Sequence, residues 1–324
     1  MADAVAIDTW DASGVRLGDV VNALAELRHQ AGERNTARTA VMTLIAVAPG
    51  DEQAYAATTA LRSIGGHHPA RIVILRPDPD EVATLDARAT LYAVQADGHQ
   101  INFEEVTLSV GGQAANHLDS LVEAFTLSDL PVVVWYVNSV PDPADPLLSV
   151  ASAVLLDSRD AGGQLRDLLE LARRRTVVDL SWIRLAPWRD LLAGLFDPAD
   201  CRVWLEFVAA VEVQGKPGPR HLLGGWLSSQ LSLRSDQVAL NDGKHVEVRV
   251  TCRRGSEAAT FDVLRGDLQR TVTAQATLPT GAMARQAITL SEDPLPSALA
   301  AALTRLRPDV TWEKALSSAT NLGL

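Results

Sequence analysis

Lysine is almost missing from this chain of 324 residues: only Lys216, Lys244 and Lys314 occur, and the other 26 of its 29 basic residues are arginine. Schiff-base chemistry and a phosphate-cradling P-loop each need one lysine in a particular setting, and none of the three has it. Lys216 lies in Gly215-Lys-Pro-Gly-Pro219, which reads as a turn and lacks the hydroxyl that follows a P-loop lysine. Lys244 follows Asn241-Asp-Gly243, a hairpin-type turn signal. Lys314, near the start of a terminal helix, reads as a solvated surface charge.

Cysteine is as scarce. Cys201 and Cys252 stand 51 residues apart, with no C-x-x-C and no histidine at zinc-finger spacing, too few for a structural zinc site or a disulfide framework. They read as two buried thiols, with a redox-regulated pair as the sharper alternative. No apolar run approaches the about 20 residues that span a bilayer. Residues 1–16 carry Asp3, Asp8 and Asp11 where a secretory signal would have a basic start and an apolar core. The expectation is a reducing, cytoplasmic setting.

Basic charge is also in deficit: 40 acids against 29 bases give a net charge of -11. Nucleic-acid binding and adhesion to anionic membranes both rely on basic surface, so neither is expected. G-x-G-x-x-G, H-E-x-x-H, G-x-S-x-G and D-x-D-x-D-G are all missing, which removes the usual support for dinucleotide, zinc-peptidase, hydrolase and EF-hand readings. No cofactor and no metal is expected.

What is present suits a folded, two-domain protein: 47% hydrophobic and 21% charged residues in a chain of this length. Leu17–Arg28 has helical spacing and runs to Gly32; Ala40–Ala48 is a strand covered on both faces; Asp51–Ile64 is a helix and Ile72–Leu75 a short buried strand, together one βαβ unit. Leu85–Val94 and Ile101–Val110 read as an antiparallel hairpin with one wet face, followed by a helix over Ala114–Phe125, a buried strand over Leu130–Val137 and a last strand at Ala153–Asp157.

Leu165–Arg174 is helical, ending in an arginine triplet that suits a helix C-terminus. Asp179–Phe196 is helical with a break at Pro187. Strands are expected at Arg202–Val213, Val246–Cys252, Ala259–Leu264, Thr271–Leu278 and Gln286–Leu290, with a helix at Leu222–Leu231 and an amphipathic helix capped by Ser297. The fold class is α/β (α+β): an N-terminal mixed-sheet α/β domain, residues 1–158, followed by a C-terminal α+β domain with a largely antiparallel sheet, residues 159–324.

Three constellations could carry function. His67-His68-Pro-Ala-Arg71 fills an αβ connection where glycine and small polar residues would suffice, and its cations suit a phosphate or carboxylate. It enters the amino end of a strand, however, whereas ligand crevices in open parallel sheets lie at carboxyl ends. Asp179-Leu-Ser-Trp182-Ile-Arg184, with Trp188-Arg189, is rich in the two residue types most enriched at interface hot spots. Leu222-Leu-Gly-Gly-Trp226 puts two glycines in a helical pattern, each costing about 1 kcal/mol against alanine, which close helix packing would offset; Trp226 then reads as a core anchor. Glu104 and Glu105 are adjacent on a strand, point to opposite faces and cannot act as an acid/base pair.

In order along the chain, Arg38-Thr39 before Thr43–Val47, His68–Arg71, Leu130–Trp135, Asp157-Ser158, Asp179–Arg184 with Trp188-Arg189, and Leu223-Gly-Gly-Trp226-Leu resemble the glucose-6-phosphate dehydrogenase assembly protein family, OpcA. Thr311–Leu316 is similar to that family's terminal helix. The resemblance implies a non-catalytic partner that binds glucose-6-phosphate dehydrogenase and promotes its active oligomer or conformation in the oxidative pentose phosphate pathway. It makes His67, His68, Arg71, Trp135, Trp182, Arg184, Trp188 and Arg189 the candidates for partner or anion binding. Thiol redox tunes photosynthetic members, but Cys201 and Cys252 match no motif of theirs. A homo-oligomer stays open. So does a second reading: a sugar-phosphate-binding protein or enzyme in which His67, His68, Arg71, Arg184 and Arg189 converge on an anion.

Overall fold

A computed structural model describes residues 4–32, 40–65, 68–96, 99–127, 129–265, 270–281, 283–292 and 294–322. Two units partition the chain: Met1–Leu156 with Arg175–Val178 and Leu299–Arg307, and Asp157–Arg174 with Asp179–Ala298 and Pro308–Leu324. The elements in chain order are β1 (Val5–Ala12), α1 (Leu17–Gly32), β2 (Thr43–Val47), α2 (Asp51–Ile64), β3 (Arg71–Asp78), β4 (Leu85–Ala96), β5 (His99–Gly111), α3 (Leu118–Glu123), β6 (Val132–Tyr136) and β7 (Ala153–Leu156). There follow α4 (Leu165–Arg174), β8 (Val177–Asp179), α5 (Leu180–Arg184), α6 (Ala186–Gly194), α7 (Ala199–Arg202), β9 (Val208–Gly215), α8 (Pro217–Leu231) and β10 (Val238–Asp242). The last are β11 (Glu247–Arg254), β12 (Glu257–Arg265), β13 (Thr271–Thr277), β14 (Met283–Thr289), α9 (Pro294–Leu303) and α10 (Val310–Ala319).

The first unit is built on a mixed sheet of eight strands in the order β1-β4-β5-β3-β2-β6-β7-β8. β5, β3, β2, β6 and β7 pair parallel, with Leu44 opposite Ile72 on one side and Val133 on the other. β2, β6 and β7 are buried at every residue, which is why they are continuous apolar runs without alternation. β4 pairs antiparallel with β5 as expected from the alternation. Three strands are additions to the expected set, β1 and β8 here and β10 in the second unit. β1 pairs with β4 at the sheet edge, where half of the residues of β1 are exposed and its aspartates are tolerated. β8 has three residues, too few for any periodicity to show. The helix expected over Ala114–Phe125 is shorter, because Gly112–Asn116 form a 3-10 turn before α3.

The second unit carries a six-stranded sheet, β10-β9-β11-β12-β13-β14, antiparallel except for the β9–β10 pair. That parallel pair corrects two expectations. Gly215–Pro219 is no free turn: Lys216 is the N-cap of α8, and Pro217 sits in its first turn, where a missing N–H costs nothing. α8 then crosses over to β10, while β11 pairs on the opposite edge of β9, so Asn241-Asp-Gly243 does not close a hairpin. Residues 203–207 form a 3-10 turn that delays the strand expected from Arg202. Ser297 lies inside α9, which starts at Pro294.

Asp179 ends β8 and caps α5, its side chain accepting from Ser181 N–H. The expected break falls at Leu185, and Pro187 occupies the first turn of α6. α8 packs along α10 through Gly225, where a Cβ would stand 2.1 Å from the Ala315 carbonyl oxygen, while Gly224 faces Leu240 of β10. Trp226 is half-buried rather than the core anchor expected, although its spacing of four from Leu222 and three from Leu223 puts it on the face of those buried leucines. Trp312 on α10, which packs along α8, is fully buried.

Candidate functional site

In the first unit, Arg71 opens β3 and reaches Glu104 on the neighbouring β5, Nε to Oε2 at 3.0 Å, while its Nη1 donates to the Phe125 carbonyl at 3.0 Å. Arg28 of α1 grips the same carboxylate with two bonds of 2.7 and 2.9 Å. Glu105 faces the other way and takes two bonds from Arg62 of α2, as alternation along a strand requires. Burial pushes the Glu104 carboxyl up, but the bonds and charges of Arg28 and Arg71 outweigh it and hold the group below the usual range. A cavity of about 300 Å³ beside this cluster is lined by Arg28, Arg71, Asn102 and Glu104. Arg71 is thus part of a buried ion cluster that ties α1 to the sheet. His68 is half-buried, its N–H donating to the Ile64 carbonyl; His67 and Arg38-Thr39 lie outside the described residues. Trp135 is fully buried in β6 and offers no surface to a partner.

The second unit assembles the other motif residues into one buried network around two carboxylates. Ser158 donates to Asp179 through both its N–H (3.1 Å) and its hydroxyl (2.6 Å); Ser181 N–H (2.9 Å) and Trp312 Nε1–H (3.2 Å) complete the set. Asp157 accepts from the Ser181 hydroxyl at 2.7 Å and from Arg184 Nη2 at 2.5 Å. Trp182 Nε1–H donates to Asp309, the N-cap of α10. Each aspartate also caps a helical turn, so the Asp157-Ser158 and Asp179-x-Ser181 spacings serve local capping and a long-range contact together. Arg184 Nη1 is buried without a partner among the described residues.

Electrostatically the two acids differ. Burial pushes the Asp179 carboxyl up to about 6, helped by the charge of Asp157 and opposed by the bonds from Ser158 and Ser181. Burial pushes Asp157 up too, but the charges of Arg184 and Arg159 and the bonds from Ser181 and Arg184 bring it below its ordinary value. Between the unfolded value of about 3.9 and the folded value near 6, the native state keeps a proton on Asp179 that the unfolded chain has released. Its contribution is therefore fully present below about pH 4 and lost as pH rises through about 6. Asp157 and Glu104 act in the opposite sense, stabilising above their unfolded values and losing that contribution as pH falls through their depressed ones. Urea midpoints measured between about pH 4.5 and 7 should fall with pH in the wild type, and Asp179→Asn should flatten that part of the profile.

Arg189 lies over the Trp182 ring, its Cζ 3.5 Å from the centroid, and donates to the Trp182 carbonyl at 2.7 Å. Trp188, also buried, donates Nε1–H to the Val246 carbonyl at 3.0 Å and so anchors α6 to the segment before β11. The arginine and tryptophan pairs that composition suggested for an interface are therefore engaged inside their own unit. Of the five cations of the anion reading, His68 and Arg71 lie in the first unit, Arg184 and Arg189 in the second, and His67 outside the described residues; the three arginines are each bound within their own unit. Cys201 and Cys252 are buried and free; burial raises both thiols, Cys252 to about 12, so neither presents a thiolate near neutral pH. Among the described residues no group of three or more His, Cys, Asp or Glu could hold a metal ion, and no helix is long and apolar enough to cross a membrane.

Sequence reasoning missed Asp309 as a partner of Trp182 and Trp312 as a partner of Asp179. Asp179 and Trp182 were visible as parts of one motif, but the partners of Trp182 and Asp179 are 127 and 133 residues away and leave no local signal.

Compared with known proteins, residues 61–173 match the family described as glucose-6-phosphate dehydrogenase subunit N-terminal domain, and residues 175–316 that described as its C-terminal domain. An OxPP cycle protein OpcA of Synechocystis is 28% identical over 183 residues, covering 52% of this chain and 38% of the relative. The protein of the same description from Nostoc punctiforme is 27% identical over 197 residues, covering 56% of this chain and 42% of the relative. The match thus spans about two fifths of these curated relatives' length.

Proposed function

Since the chain belongs to the glucose-6-phosphate dehydrogenase assembly protein family, OpcA, we propose that it binds glucose-6-phosphate dehydrogenase in the cytoplasm and promotes the enzyme's active oligomer or conformation without itself catalysing a reaction. The observation that carries this reading is the pair of consecutive family matches, residues 61–173 and 175–316, which take in both units. The site geometry agrees with it. Asp179 and Ser158 are in contact, but no histidine joins them among the described residues, and Asp179 is 2% exposed, so no substrate atom could reach a nucleophile there.

An activator of this kind works by binding the active state of its target more tightly than the inactive one, and the shift cannot exceed that difference in affinity. Moving a dehydrogenase from about 10% to about 90% active requires roughly 80-fold preference, about 2.6 kcal/mol. Initial rates of NADPH formation by the cognate dehydrogenase, measured against added chain, should rise and saturate. Rates that stay flat across the titration, with both proteins folded, would contradict activation.

A further inference from the structure

On α4, Arg166, Leu169, Glu170 and Arg173 lie at spacings of three, four and seven and so form one stripe along the helix. The stripe faces a groove of about 390 Å³ that Arg174 and Thr320, just past the end of α10, also line. Glu170 is held by Arg174 at 2.5 Å. Arg166 and Arg173 are exposed and make no ion pair or hydrogen bond among the described residues, and Leu169 between them is half-buried. In a chain of net charge -11 this is a local reversal of sign.

We propose that this groove on α4 is the seat for an acidic helix of the protein partner, one that carries carboxylates seven residues apart on either side of an apolar residue. The proposal rests on the reading that glucose-6-phosphate dehydrogenase is the partner, and it adds the face. The spacing selects the occupant. Seven residues rise about 10 Å along a helix and return to nearly the same face, so two carboxylates at that interval on a partner helix would meet Arg166 and Arg173 together. Leu169 would take the apolar residue between them. A single phosphate is disfavoured, because Glu170 lies between Arg166 and Arg173 in the same stripe and adds a negative charge to the groove. An anionic bilayer is disfavoured because attraction to its surface is worth only about 1 kcal/mol per basic residue, so two exposed arginines in a chain of net charge -11 are too few to hold it there. Arginine suits the role because its planar fork binds a carboxylate through two parallel bonds.

The test uses the full chain and the cognate dehydrogenase. Arg166→Glu/Arg173→Glu should weaken binding about 30-fold at about 50 mM salt, and the deficit should shrink to under about 3-fold at about 500 mM as screening removes the charge effect. Arg166→Gln/Arg173→Gln, which introduces no new acid at the helix C-terminus, should weaken it less with the same salt trend. In Arg166→Lys/Arg173→Lys, a zero-length carbodiimide should link the introduced amines to aspartate or glutamate of the dehydrogenase, readily told apart because the chain has three other lysines. Wild-type binding with variant affinities within about 2-fold, and no link at 166 or 173, would overturn the groove and leave the partner standing. No binding by the wild type would overturn both.

Discussion

Gly225→Ala is expected to destabilise the second unit by about 2–3 kcal/mol, although helix propensity by itself argues for a gain of about 1 kcal/mol. The two effects oppose each other and packing is the larger. A Cβ at this position would stand 2.1 Å from the Ala315 carbonyl oxygen, 2.7 Å from the Ala319 nitrogen and 2.9 Å from the Ala319 Cβ. Those are backbone and near-backbone atoms of a helix, so relief requires α8 and α10 to move apart, and with them the buried Trp312 that donates to Asp179. Gly224→Ala provides the contrast. Its nearest neighbour would be the end of the Leu240 side chain at 2.6 Å, which can rotate away, so that variant should lie within about 1 kcal/mol of wild type. Urea unfolding of the two variants gives the comparison; a stabilised Gly225→Ala protein would mean that α8 and α10 are not packed through this glycine.

Arg184→Ala should cost about 3 kcal/mol or more, because it leaves Asp157, 3% exposed at its side chain, without its closest cation. Arg159 remains at 3.6 Å, but it is 42% exposed and well screened. With Arg184 gone, burial and the nearby Asp179 push Asp157 upward, and a raised carboxylate stabilises only at low pH. The deficit of the variant should therefore narrow between about pH 7 and 5. The same variant separates two roles for this arginine. As a structural partner of Asp157 it must show the stability loss; as a free anion ligand it would leave stability unchanged and remove binding of a sugar phosphate.

Much of the first sheet was legible because burial on both faces writes itself as uninterrupted apolar sequence: Thr43–Val47, Val132–Tyr136 and Ala153–Leu156 are fully buried and were all expected as strands. The break ahead of Pro187 and the close packing at Gly224-Gly225 followed from single-residue backbone chemistry. What stayed hidden depends on pairing choice. Nothing in Val238–Asp242 says that it joins β9 in parallel while β11 takes the other edge, because a strand's sequence does not name its neighbour. The motif residues were legible as a set but not in their roles. Composition assigns tryptophan and arginine to interfaces, whereas Trp182, Arg184, Trp188 and Arg189 bond carbonyls and carboxylates of their own unit. Arg173 stands in the last turn of α4, as expected of a complement to the helix dipole, and is also exposed along the α4 groove with Arg166.

The reading of this chain as a partner of glucose-6-phosphate dehydrogenase is tested most directly by sedimentation velocity on the purified proteins, separately and mixed. The account predicts that the mixture forms a faster boundary containing both chains, with the dehydrogenase shifted toward its active oligomer. Two boundaries sedimenting at the rates of the separate proteins, at concentrations of about 10 μM, would contradict it.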